Sequence, residues 1–332
     1  MNEKFLVIGS NSFSGSHFVS DLIDLDIKVL GVSRSLEPKD VFLPYKWNKK
    51  YLNNFQFNKI NLNEDLNELL KLIEEFEPTH IVNFASQGMV AESWDNPIDW
   101  YKTNVISQVA LHDELRKLKF LKKYVHVTTP EVYGDTGSGW IKENFNFSPS
   151  TPYAVSRAAC DLHLMSFFKA YSFPVIFTRA ANVYGPGQQL YRIIPRTILS
   201  AKCHKKMNLH GGGLSERSFI FIKDVTEATL KLALNAEPGT SWHLSTKKKI
   251  SIKNLVEKIF DIAGKNPNSL VNNTQDRLGK DQNYLLESSK IRDAFNWEDK
   301  VDLDSGLKIT MEWIQENLEV LKNISWNYSH KS

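Results

Sequence analysis

Phe5-Leu-Val-Ile-Gly-Ser-Asn-Ser-Phe-Ser-Gly15 opens the chain with an apolar run, a glycine turn and the start of a helical pattern. A buried strand that feeds such a turn presents backbone N–H groups and a helix N-terminus to a pyrophosphate. The spacing is Gly9-x-x-Ser12-x-x-Gly15, so serine stands where the dinucleotide fingerprint has its middle glycine. On this motif alone a structural turn without a ligand remains an alternative. Gly9, Ser12, Phe13 and Gly15 are the candidate cofactor contacts of the turn.

Outward from this turn the N-terminal half keeps one rhythm. Apolar runs at Phe5–Ile8, Lys28–Val32, Phe55–Ile60, His80–Asn83, Tyr124–Thr128 and Val175–Thr178 predict strands. Helical periodicity predicts helices over Gly15–Leu25, Leu66–Phe76, Asp99–Leu118 and Tyr153–Ala170. Strand, helix, strand in this order means βαβ units and a parallel sheet covered on both faces. After about Asn182 the rhythm weakens, glycine-rich loops appear, and helical patterns dominate from Ile252 onward. A strand and helix near Phe219 to Leu234 are read with the first sheet. The expected fold is α/β: a Rossmann-type dinucleotide domain over 1–185 and 217–247, with a smaller, mostly helical substrate lobe over 186–216 and 248–330. A ligand cleft is expected between them, beyond the C-terminal strand ends.

Composition excludes several classes. With 332 residues, 42% of them hydrophobic, the chain is too apolar for a disordered protein. Its 41 basic and 38 acidic residues give a net charge of +3, which offers no reason to expect a nucleic-acid or membrane-surface partner. No apolar run approaches the ~18 residues needed to cross a bilayer. The N-terminus enters a strand pattern at once, so no signal peptide is expected. Cys160 and Cys203 have neither a disulfide framework nor metal-ligand spacing. The expectation is a cytoplasmic protein without a metal.

The end of the second strand bears on the choice of dinucleotide. An acid there accepts from the ribose 2′-OH of NAD, whereas an arginine suits the 2′-phosphate of NADP. Ser33-Arg34-Ser35 carries the arginine and no acid, which favours NADP over NAD; a solvated surface arginine is the alternative. Asn61 follows the third strand, where an adenine contact is plausible, and Asn83-Phe-Ala85-Ser86 borders the same cofactor.

Two further motifs carry chemistry. Thr128-Thr-Pro-Glu-Val-Tyr-Gly134 closes the fifth strand, and Tyr153-Ala-Val-Ser-Arg157 opens a helix. Four residues apart, the phenol and the cation share one helix face. A nearby positive charge stabilises phenolate and makes tyrosine a usable base. A tyrosine that merely packs its helix on the sheet is the other reading of that spacing.

Taken together, the glycine turn, Asn-Phe-Ala-Ser, Thr-Thr-x-Glu-Val-Tyr-Gly and Tyr-x-x-x-Arg resemble the extended short-chain dehydrogenase/reductase superfamily, and within it the nucleotide-sugar 4,6-dehydratases. The resemblance continues through Arg179-Ala-Ala-Asn-Val-Tyr-Gly-Pro186, Arg217-Ser-Phe-Ile-Phe-Ile-Lys-Asp224 and Asp276-Arg-Leu-Gly-Lys-Asp281. It implies catalytic roles for Thr129, Glu131, Tyr153 and Arg157, with Tyr153 and Arg157 also touching the cofactor. It implies substrate contacts at Asn182, Arg217 and Arg277, where guanidinium groups suit a diphosphate. The implied reaction oxidises C4 of a nucleotide sugar, eliminates water across C5 and C6, and returns the hydride to give a 4-keto-6-deoxy sugar. The family also implies a homodimer. Three positions depart from its pattern: Arg157 for lysine, Pro130 for the aspartate of the thymidine-nucleotide branch, and Ser12 for glycine. A UDP-glucuronate decarboxylase and a 4-epimerase are the rival enzymes. A catalytically silent nucleotide-binding interaction protein is the rival outside catalysis.

Overall fold

A computed structural model of the protein describes residues 3–47, 52–137, 139–276, 279 and 281–331. Arg277 lies outside the described residues. Seven parallel strands form one sheet: β1 (Lys4–Ile8), β2 (Lys28–Ser33), β3 (Phe55–Lys59), β4 (His80–Asn83), β5 (Lys123–Thr128), β6 (Val175–Ala180) and β7 (Thr240–Leu244). Their order across the sheet is β7-β6-β5-β4-β1-β2-β3. The order reverses at β1, and its neighbour β4 ends there beside the glycine turn, which is where such sheets leave a ligand crevice.

Alternation along β1 divides the core. Phe5 and Val7 face helix α1 (Phe13–Asp24) and the helix Ile222–Asn235, together with Phe18, Leu22 and Leu232. Leu6 and Ile8 face the other side, against Leu69 and Ile73 of α2 (Leu66–Phe76) and Leu164 of the helix Pro152–Tyr171. A strand buried on both faces reads as a continuous apolar run, which is how β1 reads.

Two expectations need correction. The run Phe219–Phe221 does not join the main sheet. It pairs in parallel with Asn182–Tyr184 in a separate two-stranded ladder, and Thr240–Leu244 supplies the seventh strand instead. The single helix expected over Asp99–Leu118 is interrupted. It begins at Pro97, passes through a π-helical stretch at Lys102–Ile106 and ends at Leu115. The surplus residue of a π turn is commonly held by a side-chain contact. Here buried Asn104 accepts from Gln87 N (2.8 Å) and donates to Gln87 O (3.1 Å) and Ser156 Oγ (3.0 Å).

A separate apolar cluster joins three helices after the sixth strand. Helices Ile193–Cys203, Ile252–Ile262 and Leu303–Glu316 bury Ile198, Leu255, Ile259, Leu307 and Ile314 against one another. Each such side chain contributes about 1.5–3 kcal/mol.

Candidate active site

Close approach dictates the glycine turn. Gly9 has φ +83°, and a Cβ there would lie 2.9 Å from Ala85 N. A Cβ on Gly15 would fall 2.2 Å from Gly9 O, so only glycine lets α1 start this close to β1. Ser12, in place of the middle glycine, caps α1 by accepting from Gly15 N at 3.1 Å. Above the turn lies a cavity of about 460 Å³ lined by Gly9, Ser12, Arg34, Asn61 and Ala85. A turn that only glycine can make, opening onto a cavity walled by the expected contacts, fits a dinucleotide. Two of those contacts play other parts. Phe13 turns its side chain away from this cavity into the apolar cluster of the smaller lobe, and Gly15 acts by admitting the helix.

At the other end, local geometry aims the polar side chains. Thr129 accepts from Glu131 N (3.3 Å), capping the short turn Pro130–Tyr133 that swings Glu131 off the end of β5. Thr151 accepts from Ala154 N (3.2 Å), and Pro152 pre-sets the first turn of its helix, which places Tyr153 at the helix start. The Thr129 hydroxyl is a hydrogen-bond neighbour of the Tyr153 phenol. Burial pushes the Glu131 carboxyl up to about 7, against the pull of Arg217, and its Oε2 is shut from solvent without a protein partner.

Arg157 favours the Tyr153 phenolate, as the spacing suggests, but it does not decide the balance. Its Nη2 reaches His126 Nε2 (3.2 Å) and Val127 O beneath the sheet end. The Tyr153 phenol is raised above its ordinary value: burial and the Glu131 charge outweigh Arg157 and Thr129. Nε and Nη1 of Arg157 are buried without a protein partner, which leaves two donors for a ligand. Below them Asp161 accepts from Arg179 Nη2 (2.7 Å) and Thr128 Oγ1 (3.0 Å).

On the lobe side, Asn182 accepts from Tyr284 Oη at 3.2 Å and donates to Ser218 O at 3.3 Å. Arg217 is buried and directs its donors to Glu216 O, Gln282 O and Asp281 O at 2.6–2.8 Å, with Tyr284 stacked under the guanidinium at 4.0 Å. Thr129, Glu131, Tyr153, Asn182 and Arg217 therefore share one site, and Gly9, Ser12, Arg34, Asn61 and Ala85 share the adjoining cavity. Tyr284, a hydrogen-bond neighbour of Glu131, went unread in the sequence. Its only signal was its place three residues past the Asp276–Asp281 motif.

The profile of the GDP-mannose 4,6 dehydratase family matches residues 6–310 of this chain. The chain belongs to that family. A human relative, dTDP-D-glucose 4,6-dehydratase, is 30% identical over 97% of this chain and 93% of its own length. A trifunctional UDP-glucose 4,6-dehydratase/UDP-4-keto-6-deoxy-D-glucose 3,5-epimerase/UDP-4-keto-L-rhamnose-reductase of Arabidopsis thaliana is 29% identical over 97% of this chain. This family member spans about half (49%) of that plant protein. Among solved structures, a dTDP-glucose 4,6-dehydratase of Bacillus anthracis in complex with NAD superposes with a TM-score of 0.84, at 29% identity over 96% of this chain and 98% of that one.

Proposed function

We propose that the protein is a nucleotide-sugar 4,6-dehydratase that uses a nicotinamide dinucleotide and releases a 4-keto-6-deoxy sugar nucleotide. The observation that carries this reading is Glu131: a carboxyl raised to about 7, with an unpartnered buried oxygen, beside Tyr153 and Thr129. A carboxyl near neutrality both takes and gives a proton at physiological pH. Pro130 offers no proton, so Glu131 does both jobs in this segment.

The dinucleotide, when bound, supplies reversible hydride transfer. Gly9 and Ser12 would hold its pyrophosphate, and Arg157, with Nε and Nη1 unpartnered, would offer donors to its ribose. Tyr153, in its phenolate form, which Arg157 and Thr129 favour against burial and Glu131, would take the proton of the sugar 4-OH while Thr129 holds the oxygen. The 4-ketone so formed acidifies C5–H. Glu131 takes that proton and delivers it to the C6 hydroxyl, which departs as water. The proton gained from the 4-OH balances the one returned at C5, so the sum is loss of one water. A negative charge on Glu131 opposes phenolate at Tyr153. Proton uptake by Tyr153 in the first half therefore readies Glu131 for the second.

Asn182 and Arg217 are the proposed contacts to the sugar diphosphate, with Arg277, outside the described residues, proposed from the sequence motif. NADP is proposed over NAD because β2 ends in Ser33-Arg34-Ser35, although the solved relative holds NAD. Cys160 and Cys203 are free thiols, which suits the reducing cytoplasm, and no described helix is long and apolar enough to cross a membrane. A homodimer is proposed through the helices Pro97–Leu115 and Pro152–Tyr171, where Ile98, Ile106 and Leu162 are 77%, 65% and 50% exposed. Apolar residues on one helical face seek a partner.

The deciding experiment incubates the protein with a panel of nucleotide hexoses and hexuronates and follows product masses. Loss of water is expected. Loss of carbon dioxide assigns a decarboxylase, changed stereochemistry at constant mass a 4-epimerase, and no reaction a silent binding protein.

A further inference from the structure

The outer wall of the dinucleotide cavity comes from an unexpected part of the chain. Ile324, Ser325, Tyr328, Ser329 and Lys331 line it, opposite the glycine turn and the end of β2. This segment is anchored at both ends. At the lobe, Arg196 Nη1 donates to Trp326 O (2.8 Å) and Trp326 Nε1 to Leu321 O (3.0 Å). Across the cavity mouth, the His330 ring stacks on Trp100 (5.1 Å between centroids, 6° between planes) and its Nε2 meets Asp99 Oδ2 at 2.7 Å. Arg34 Nη1 donates to Lys331 O at 2.9 Å, Gln87 Nε2 reaches the same carbonyl, and Lys331 Nζ donates to Ser35 Oγ at 3.1 Å.

We propose that residues 324–331 are part of the dinucleotide site, and that Lys331 joins Arg34 in binding a 2′-phosphate on the adenosine ribose. The second half of this proposal rests on the NADP reading above. The end of the second strand is where folds of this class present that ribose. Two cations from opposite ends of the sequence converge there, on Ser33–Ser35. Asp99, the acid whose charge acts on Arg34, is committed to His330. Arg34 uses Nη1 and Nη2 on Lys331 O and Gln87 Oε1, which fixes its plane and leaves its remaining N–H groups for phosphate oxygens. Lys331 adds a compact ammonium that a 2′-hydroxyl rewards far less than a dianion does. The segment also walls the cavity and is tied down by His330 on Trp100 and Asp99, so loosening it should speed the exit of a bound dinucleotide.

The test uses the whole chain with three measurements. Calorimetry gives the NADP and NAD affinities of the unmodified protein, and tighter NADP binding is expected; tighter NAD binding overturns the NADP reading by itself. Lys331→Ala is expected to weaken NADP about tenfold and NAD less than about twofold, the size of one charge-assisted hydrogen bond. Equal effects on both, or none, overturn the 2′-phosphate role of Lys331. Stopped-flow displacement then gives release rates for either dinucleotide. His330→Ala is expected to speed release of both about tenfold, whichever is preferred. Unchanged release in His330→Ala overturns the claim that the segment belongs to the site. Lys331→Arg restoring NADP affinity separates a lost charge from a disturbed segment.

Discussion

Glu131, just past the end of β5, and Asp161, on the helix Pro152–Tyr171 and bonded to Thr128 of that strand, both suffer burial as the leading influence on their carboxyls, and they end on opposite sides of the ordinary range. Glu131 rises to about 7. Asp161 falls below its usual value, because Arg179 at 2.7 Å, His126 and Arg157 together outweigh the burial that would raise it. Arg217, the leading cation acting on Glu131, has turned its donors to backbone carbonyls and leaves Oε2 unpartnered. Burial imposes a similar penalty on any carboxylate, and the partner decides the sign. One group is thereby a fixed strut and the other a proton store.

Removing the strut is the harshest way to test that contrast. Asp161→Ala strands the buried Arg179 guanidinium and is expected to cost ~3–5 kcal/mol of stability by urea unfolding. A cost under about 1 kcal/mol would put Asp161 in the same class as Glu131. Next in size is Glu131→Gln, which keeps the shape and loses the proton. Dehydration is expected to drop at least ~10²-fold, about 2.7 kcal/mol in barrier. The reduced cofactor and the 4-keto sugar should still form, as followed by single-turnover absorbance and mass spectrometry. Dehydration at the unmodified rate would make Glu131 structural as well.

The smallest effect is a pH dependence of opposite sense at the two sites. The lowered Asp161 contributes stability that is present above its ordinary 3.8 and lost as pH falls through its folded value. The raised Glu131 contributes stability that is present below its ordinary 4.5 and lost as pH rises through about 7. Between pH 5 and pH 8 the unmodified protein should therefore lose about 2 kcal/mol relative to Glu131→Gln, allowing for partial exposure of the side chain. Parallel urea titrations at the two pH values read the difference directly. No difference would mean that Glu131 is ionised in the folded protein at pH 5.

Legibility followed the range of the interactions. Strands β1 to β6 and the helix Leu66–Phe76 were plain in the sequence because apolar periodicity is local. Thr240–Leu244 was not read as a strand, since Thr-Ser-Trp-His-Leu mixes polar and apolar residues and its place depends on β6. The π stretch at Lys102–Ile106 needed the distant loop at Gln87. Thr129, Glu131 and Tyr153 were legible because their motifs are contiguous. The environment of Tyr153 was not: the Arg157 spacing suggested a lowered phenol, whereas burial and the Glu131 charge outweigh Arg157, whose Nη2 is shared with His126. The cavity wall at 324–331 rests on contacts more than 200 residues apart in sequence, such as His330 with Asp99, which no window along the chain reveals.

The seventh strand also sets a clock for synthesis. β6 ends at Ala180, but the chain then builds part of the smaller lobe before Thr240–Leu244 arrives to cover the β6 edge. That gap of about 60 residues takes roughly 3–12 s at ~5–20 residues per second. In the finished protein Lys290 Nζ bonds Ser241 O on the outer strand at 2.8 Å, and a lysine there discourages further pairing. A nascent chain paused short of Leu244 has an apolar strand with free N–H and C=O groups and no such guard. The β6 edge is covered once Leu244 is in place, but the outer strand is guarded only once Lys290 has been made.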